Sequence, residues 1–171
     1  SPEAIARQAG TDVPTSTLAR FFASEFASGS PLARAAIGHA IVNAMRKRNE
    51  QQVAGQRWDL RLMATWVRGL GDTGRYGRQR HGRYAATHAD ARESDVYIAT
   101  MVLTRTWPDP TGGADQFLDP YWQRRLHAQY PDRWDSVEEK LAQWTARGGR
   151  EVYVVPGTDP DRLVFVRPRV A

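Results

Sequence analysis

Two stretches of this chain carry residue types at spacings suited to chemistry. In residues 18–25, Leu18, Phe21 and Phe22 fall at i, i+3 and i+4, and the next place on that face, i+7, holds Glu25. Apolar residues at this spacing mark one face of a helix. A carboxylate on an apolar stripe is costly to bury while ionised. Desolvation keeps it protonated to higher pH, which is the state a general acid needs. Glu25 is therefore the leading catalytic candidate, although spacing alone more often means a rim carboxylate facing water or paired with Arg20 or Arg34. The second stretch is residues 109–120, DPTGGADQFLDP. Its adjacent glycines, Gly112 and Gly113, remove side chains where backbone could lie close to a ligand. It is not a phosphate loop, because the Lys and the spacing of that motif are absent.

Other chemistries find less support. Most glycosidases add a second carboxylate as base or nucleophile. Asp72, Asp90, Asp95, Asp109, Asp115 and Asp119 are available, and none has a spacing that recommends it. His39, His81, His88 and His127 form no HExxH or similar pair, so no metal site is expected. Ser24, Ser28 and Ser30 lack a G-x-S-x-G context. There is no Cys, which removes disulfides, thiolate nucleophiles and Cys-type zinc sites together.

The 171 residues suit one domain with a real core. The net charge of +5 favours polyanions, whether nucleic acid, anionic membrane or bacterial wall polymer. No apolar run reaches the roughly 18 residues of a membrane span. The opening SPEAIARQAG has no basic region before an apolar core and does not read as a signal peptide. A first residue of Ser1 fits a mature chain, a trimmed one, or part of a longer phage or secreted protein.

The elements that must position these stretches follow from pattern. Residues 1–14 read as a tail. Thr15 or Ser16 is expected to cap a first helix, with Gly29 as its C-cap. Ser30 and Pro31 open a second helix. Ala33, Ala36, Ile37, Ala40, Ile41, Ala44 and Met45 form its continuous face, with His39 off it. This is the expected buried central helix. Residues 46–58 read as a polar connector, and Asp59 as the cap of a third helix with Leu60, Met63, Ala64 and Val67 on its face.

Residues 69–92 form a long loop in which Arg75, Arg78, Arg80 and Arg83 interleave with Tyr76 and Tyr84. Such a loop suits phosphates, bases or sugar faces, and equally a solvated surface. Residues 93–107 are apolar all round. Their β-branched residues favour strand and their length favours helix, which is the assignment adopted. Short helices are expected at Tyr121, Trp122 and Leu126, and after Ser136. Two alternating runs, 151–155 and 163–167, signal a C-terminal hairpin.

Ala19, Arg20 and Glu25, then a small-residue helix ending at Asn43, Arg46 and Arg48, resemble the first hallmark of the SleB-type cell wall hydrolases. Phe26 stands where that family has Ala, Gly29 comes one residue later, and Ser30 rather than Glu follows it. DPTGGA followed after two residues by Phe117 is similar to the second hallmark, DPTGGAxxFxxP. The segment GRYAATHADARESD resembles the middle region, where an aromatic residue walls the cleft. The resemblance covers about residues 18–120.

It implies a lysozyme-like helical domain, taken over residues 15–147, which with the small C-terminal β-hairpin read from the alternating runs, 148–171 and packed on the same domain, makes a mainly α (α+β) protein. It implies Glu25 as the catalytic acid of a lytic transglycosylase cutting peptidoglycan glycan strands without metal or cofactor. It further implies Tyr84, Thr111, Gly112, Gly113, Ala114, Gln116 and Phe117 along the substrate groove. The setting would be extracytoplasmic: periplasm, cell wall or virion. On this reading nucleic acid is not expected as a partner. A hydrolytic muramidase, or a non-catalytic basic module binding wall or nucleic acid, are the alternatives.

Overall fold

The computed structural model describes residues 13–25, 29–60, 63 and 91–170. Among them are α1 (Val13–Glu25), α2 (Pro31–Glu50), a 3-10 turn (Val53–Gly55), α3 (Glu93–Leu103), β1 (Gln116–Leu118), α4 (Pro120–Gln129), α5 (Val137–Thr145), β2 (Arg150–Tyr153) and β3 (Val164–Pro168). The architecture is mainly helical with one small antiparallel sheet of order β1-β3-β2, as an α+β chain should show.

Helix α1 buries Leu18, Phe21 and Phe22, the stripe read from the sequence. It starts earlier than expected. Thr15 and Ser16 lie inside it and are buried, so neither caps it. The turn through residues 26–28, which bears on the expected Gly29 cap, lies outside the described residues.

Helix α2 is the central helix. Ser30 Oγ accepts the Ala33 N–H at 3.1 Å and Pro31 takes the first position. From Ala33 to Val42 every side chain is buried, including His39 and Arg34. The expected single face is thus a helix enclosed on all sides, as an all-round small and apolar surface allows. Gly38 marks the tightest crossing. A Cβ there would lie 3.0 Å from Phe22 on α1 and 3.4 Å from Val102 on α3.

The expected connector at 46–58 is corrected in its first part. Helix α2 runs on to Glu50. Lys and Arg are good helix formers, and cations in a last turn suit the helix dipole. The Arg48 guanidinium packs over the Trp58 ring at 4.4 Å, and Asn49 brackets the Trp58 backbone through both side-chain atoms. Met63 N–H donates to Asp59 C=O at 2.9 Å, the first turn of the expected third helix. Ala64 and Val67, and the Arg-rich loop up to residue 90, lie outside the described residues.

Helix α3 is a helix, not a strand, and ends at Leu103 rather than Trp107. Arg105 then turns the chain at φ 58°. At its start, Asp95 is fully buried and accepts hydrogen bonds from Arg34 (2.6 Å) and from the Arg92 backbone and guanidinium.

The C-terminal hairpin forms close to the expected places, Glu151 facing Arg167 and Tyr153 facing Phe165. It gains a third strand, since Phe117 of β1 pairs with Phe165 on the other edge of β3. Val155, Leu163 and Phe165 join the core built by Leu18, Phe22, Ile37 and Ile41, so the sheet is fastened to the helices. Leu118, Val137 and Val164 make a smaller cluster that seats α5. No helix among the described residues is long and apolar enough to cross a membrane.

Candidate functional site around the glycine turn

The turn of residues 109–115 is built around the Asp109 carboxylate. One oxygen accepts the Thr111 N–H (2.8 Å) and hydroxyl (2.6 Å). The other accepts the Gly113 N–H (3.1 Å) and the Asn43 side-chain amide (2.9 Å). Asn43 also donates to the Ala114 carbonyl at 2.9 Å, and Thr111 Oγ1 accepts the Ala114 N–H at 3.0 Å. Burial pushes the Asp109 carboxyl up. The hydrogen bonds from Thr111 and Asn43 outweigh this and hold it below the usual carboxylate range. His39, one helical turn before Asn43, donates from Nε2 to the Trp107 carbonyl at 2.7 Å and fixes the segment entering the turn.

At the end of the turn, Asp115 is held by Lys47 at 2.8 Å and by the Arg150 guanidinium. Burial again raises its pKa, and the bonds from Arg150 and Lys47 bring it below the ordinary value. Arg150 also donates to Gln116 Oε1 at 2.8 Å. Helix α2, the turn and β2 therefore meet at one ionic junction.

The structure divides the expected substrate residues. Thr111 and Ala114 are fully buried, so their side chains shape the turn rather than face a ligand. Phe117 packs against the core, and Gln116 is half-buried beside Arg150. Gly112 and Gly113 are exposed, at φ 66° and 90°. Gly112 is closed in by Arg167, whose Nη1 would lie 2.6 Å from a Cβ there, whereas the space in front of Gly113 is open. Arg167 stacks 3.6 Å from the Tyr153 ring and donates to Glu151 at 2.9 Å.

Glu25 is the last residue of α1. Its side chain, and Tyr84, Asp72, Asp90, His81 and His88, lie outside what is described. Arg34, one expected partner of Glu25, is engaged with Asp95, Ser94 and the Gly29 carbonyl. Of the carboxylates weighed as a second catalytic group, Asp95, Asp109 and Asp115 are held as above. Asp119 caps α4 and pairs with Arg162 at 3.1 Å. His127 is bonded to the Trp134 carbonyl. Among the described residues no cluster of three or more His, Cys, Asp or Glu could hold a metal ion.

Sequence reasoning missed Lys47, Arg150 and Arg167. Each reads as a surface charge, and only the sheet brings the last two to the turn. The chain matches no family model, no curated protein and no solved structure.

Proposed function

We propose that the protein is a peptidoglycan-cleaving glycosidase of lysozyme-like fold, acting as a lytic transglycosylase with Glu25 as its single acid and base. The observation that carries this reading is the Asn43 clamp. The two sequence stretches that resemble the wall hydrolases are bonded to each other, Asn43 of the first to Asp109 and Ala114 of the second. Their contact supports reading the two matches together.

The engaged state of Asp95, Asp109, Asp115 and Asp119 supports a one-carboxylate mechanism. A carboxylate whose oxygens are already bonded to other donors is poorly placed to serve as the second base or nucleophile. In the proposed reaction protonated Glu25 gives its proton to the oxygen bridging the muramic acid C1 and the next glucosamine. The C1–O bond breaks, and that glucosamine leaves as an alcohol. The Glu25 carboxylate then takes the proton from the muramic acid 6-hydroxyl as that oxygen bonds to C1. The product is a 1,6-anhydro end and the acid is restored. The open backbone before Gly113 provides a ledge where a sugar can approach without meeting a side chain.

Mass spectrometry of sacculi digested by the wild type and by Glu25→Gln tests this. Anhydro ends from the wild type and intact strands from the variant are expected. Reducing muramic acid ends would replace the proposal by hydrolysis. Cleavage by Glu25→Gln at the wild-type rate would remove Glu25 from the chemistry.

A further inference from the structure

Helix α4 presents two large aromatic side chains to solvent. Tyr121 and Trp122 are 40% and 36% exposed, and their rings meet edge to face with centroids 5.5 Å apart. Aromatic side chains of this kind present an apolar face beside a polar handle, a combination that suits a contact surface. They are also held in place. Arg125 donates to the Tyr121 hydroxyl at 2.7 Å, and its guanidinium lies 5.4 and 5.5 Å from the two rings. Arg162 also lies 5.0 Å from the Tyr121 ring and is tied to Asp119, the cap of the same helix. Such a surface binds without first losing side-chain freedom.

Through Arg162 this aromatic ledge, distinct from the one at Gly113, adjoins a cavity. A space of about 280 Å³ opens between the start of α2 and the loop 156–163, lined by Gly29, Ser30, Gly157, Thr158 and Arg162. Arg162 belongs to both cavity and ledge. Gly29 and Ser30 follow Glu25 by four and five residues.

We infer that Tyr121, Trp122 and Arg162 form a glycan-binding subsite beside the cavity at the start of α2, a reading that rests on the proposed cleavage of glycan strands. The charge of the surface selects this ligand. Arg124, Arg125 and Arg162 are matched by Asp119, Asp159 and Asp161, with Arg124 3.9 Å from Asp161. A nucleic-acid surface needs an excess of cations to neutralise phosphates. A strand of N-acetylated sugars needs apolar faces for its C–H surfaces, and mixed donors and acceptors for its hydroxyls and amides.

The test uses the Glu25→Gln protein, so that binding is read without turnover. Its affinity for purified sacculi and for soluble N-acetylglucosamine oligomers is compared with that of the same protein carrying Tyr121→Ala and Trp122→Ala. Binding of both ligands is expected to weaken about tenfold or more, equivalent to about 1.4 kcal/mol, at low and high salt alike. Tyr121→Phe with Trp122→Phe should stay within about twofold of the parent, a difference below 0.5 kcal/mol by the same conversion. Should the alanine pair not fold, Trp122→Ala alone is expected to weaken oligomer binding about threefold or more. Unchanged glycan binding overturns the inference. So does a loss confined to duplex DNA, which would make the ledge a nucleic-acid surface. Product analysis separates the two readings. Uncut sacculi with ledge-dependent glycan binding would remove only the enzyme. Cut sacculi with ledge-independent binding would remove only the subsite.

Discussion

Asn43 stands 2.9 Å from both Asp109 Oδ2 and the Ala114 carbonyl, so one amide on the central helix grips the two ends of the glycine turn. Asn43→Leu removes the donor, takes the side-chain bond from the Ala114 carbonyl and leaves Asp109 Oδ2 with the Gly113 N–H. The expected cost is about 1–3 kcal/mol, the usual penalty for taking a partner from such groups. Urea denaturation of the purified variant measures it. Under the proposed function, wall digestion by the folded fraction should fall as well, because the ledge at Gly113 would lose its anchor. A variant as stable and active as the wild type would show that the turn holds itself.

Acid should weaken the same region. Asp109 and Asp115 both have folded pKa values depressed below the ordinary carboxylate value. The stabilisation from a depressed carboxylate is present above the unfolded pKa, about 3.9 for Asp. It is lost as pH falls through the folded value. Stability should thus decline below about pH 4. The stability gap between wild type and Asp109→Asn should narrow over the same interval, since the wild type then loses what the variant already lacks. Denaturant midpoints across that range check the sign, and a gap that widens on acidification would contradict it.

The two glycines of the turn should respond differently to alanine. Both sit at positive φ, which costs an L-residue about 1–2 kcal/mol. Only Gly112 also faces Arg167, which must leave its place between Tyr153 and Glu151 to make room. Gly112→Ala should therefore lower the melting temperature more than Gly113→Ala. Gly113→Ala, with open space before it, should fall hardest on substrate affinity. Equal effects on stability would mean that Arg167 yields freely.

The buried pair Arg34–Asp95 carries a larger expectation. Both side chains are nearly or fully enclosed, at 2.6 Å. Asp95→Ala strands a guanidinium in the core, and breaking such a pair by removing one partner costs about 3–5 kcal/mol. Replacing both by apolar residues should recover much of that. A double-mutant cycle read by chemical denaturation decides it.

Much of this architecture is legible in the chain because local signals agree. Ser30-Pro31, Asp119-Pro120 and Ser136 each stand at the start of a helix, and the alternating C-terminal runs pair as a hairpin. The misreadings have physical causes. Strand β1 is three residues long, too short to show alternation, and exists because β3 offers it an edge. The end of α2 has no apolar face to read, and its cations find partners in Trp58 and Asp115, far along the chain. Arg34 and Asp95 look like surface charges until folding encloses them together. In the site, the adjacent glycines announce a close backbone approach. Asp109, weighed as a free carboxylate, spends its oxygens on the Thr111 and Gly113 amides and on Asn43. Glu25 and Tyr84 stay where the sequence left them, as expectations.

The order of the sheet has a consequence for how the molecule comes into being. Strand β3 lies in the middle, yet it is the last of the three to be synthesised. Phe117 must wait for Phe165, 48 positions behind it, before its strand has any neighbour. At about 5–20 residues per second, the ribosome imposes a delay of seconds. The glycine turn opens directly into that waiting strand, so a nascent chain lacks the frame that gives the turn its shape until nearly all of this stretch has emerged.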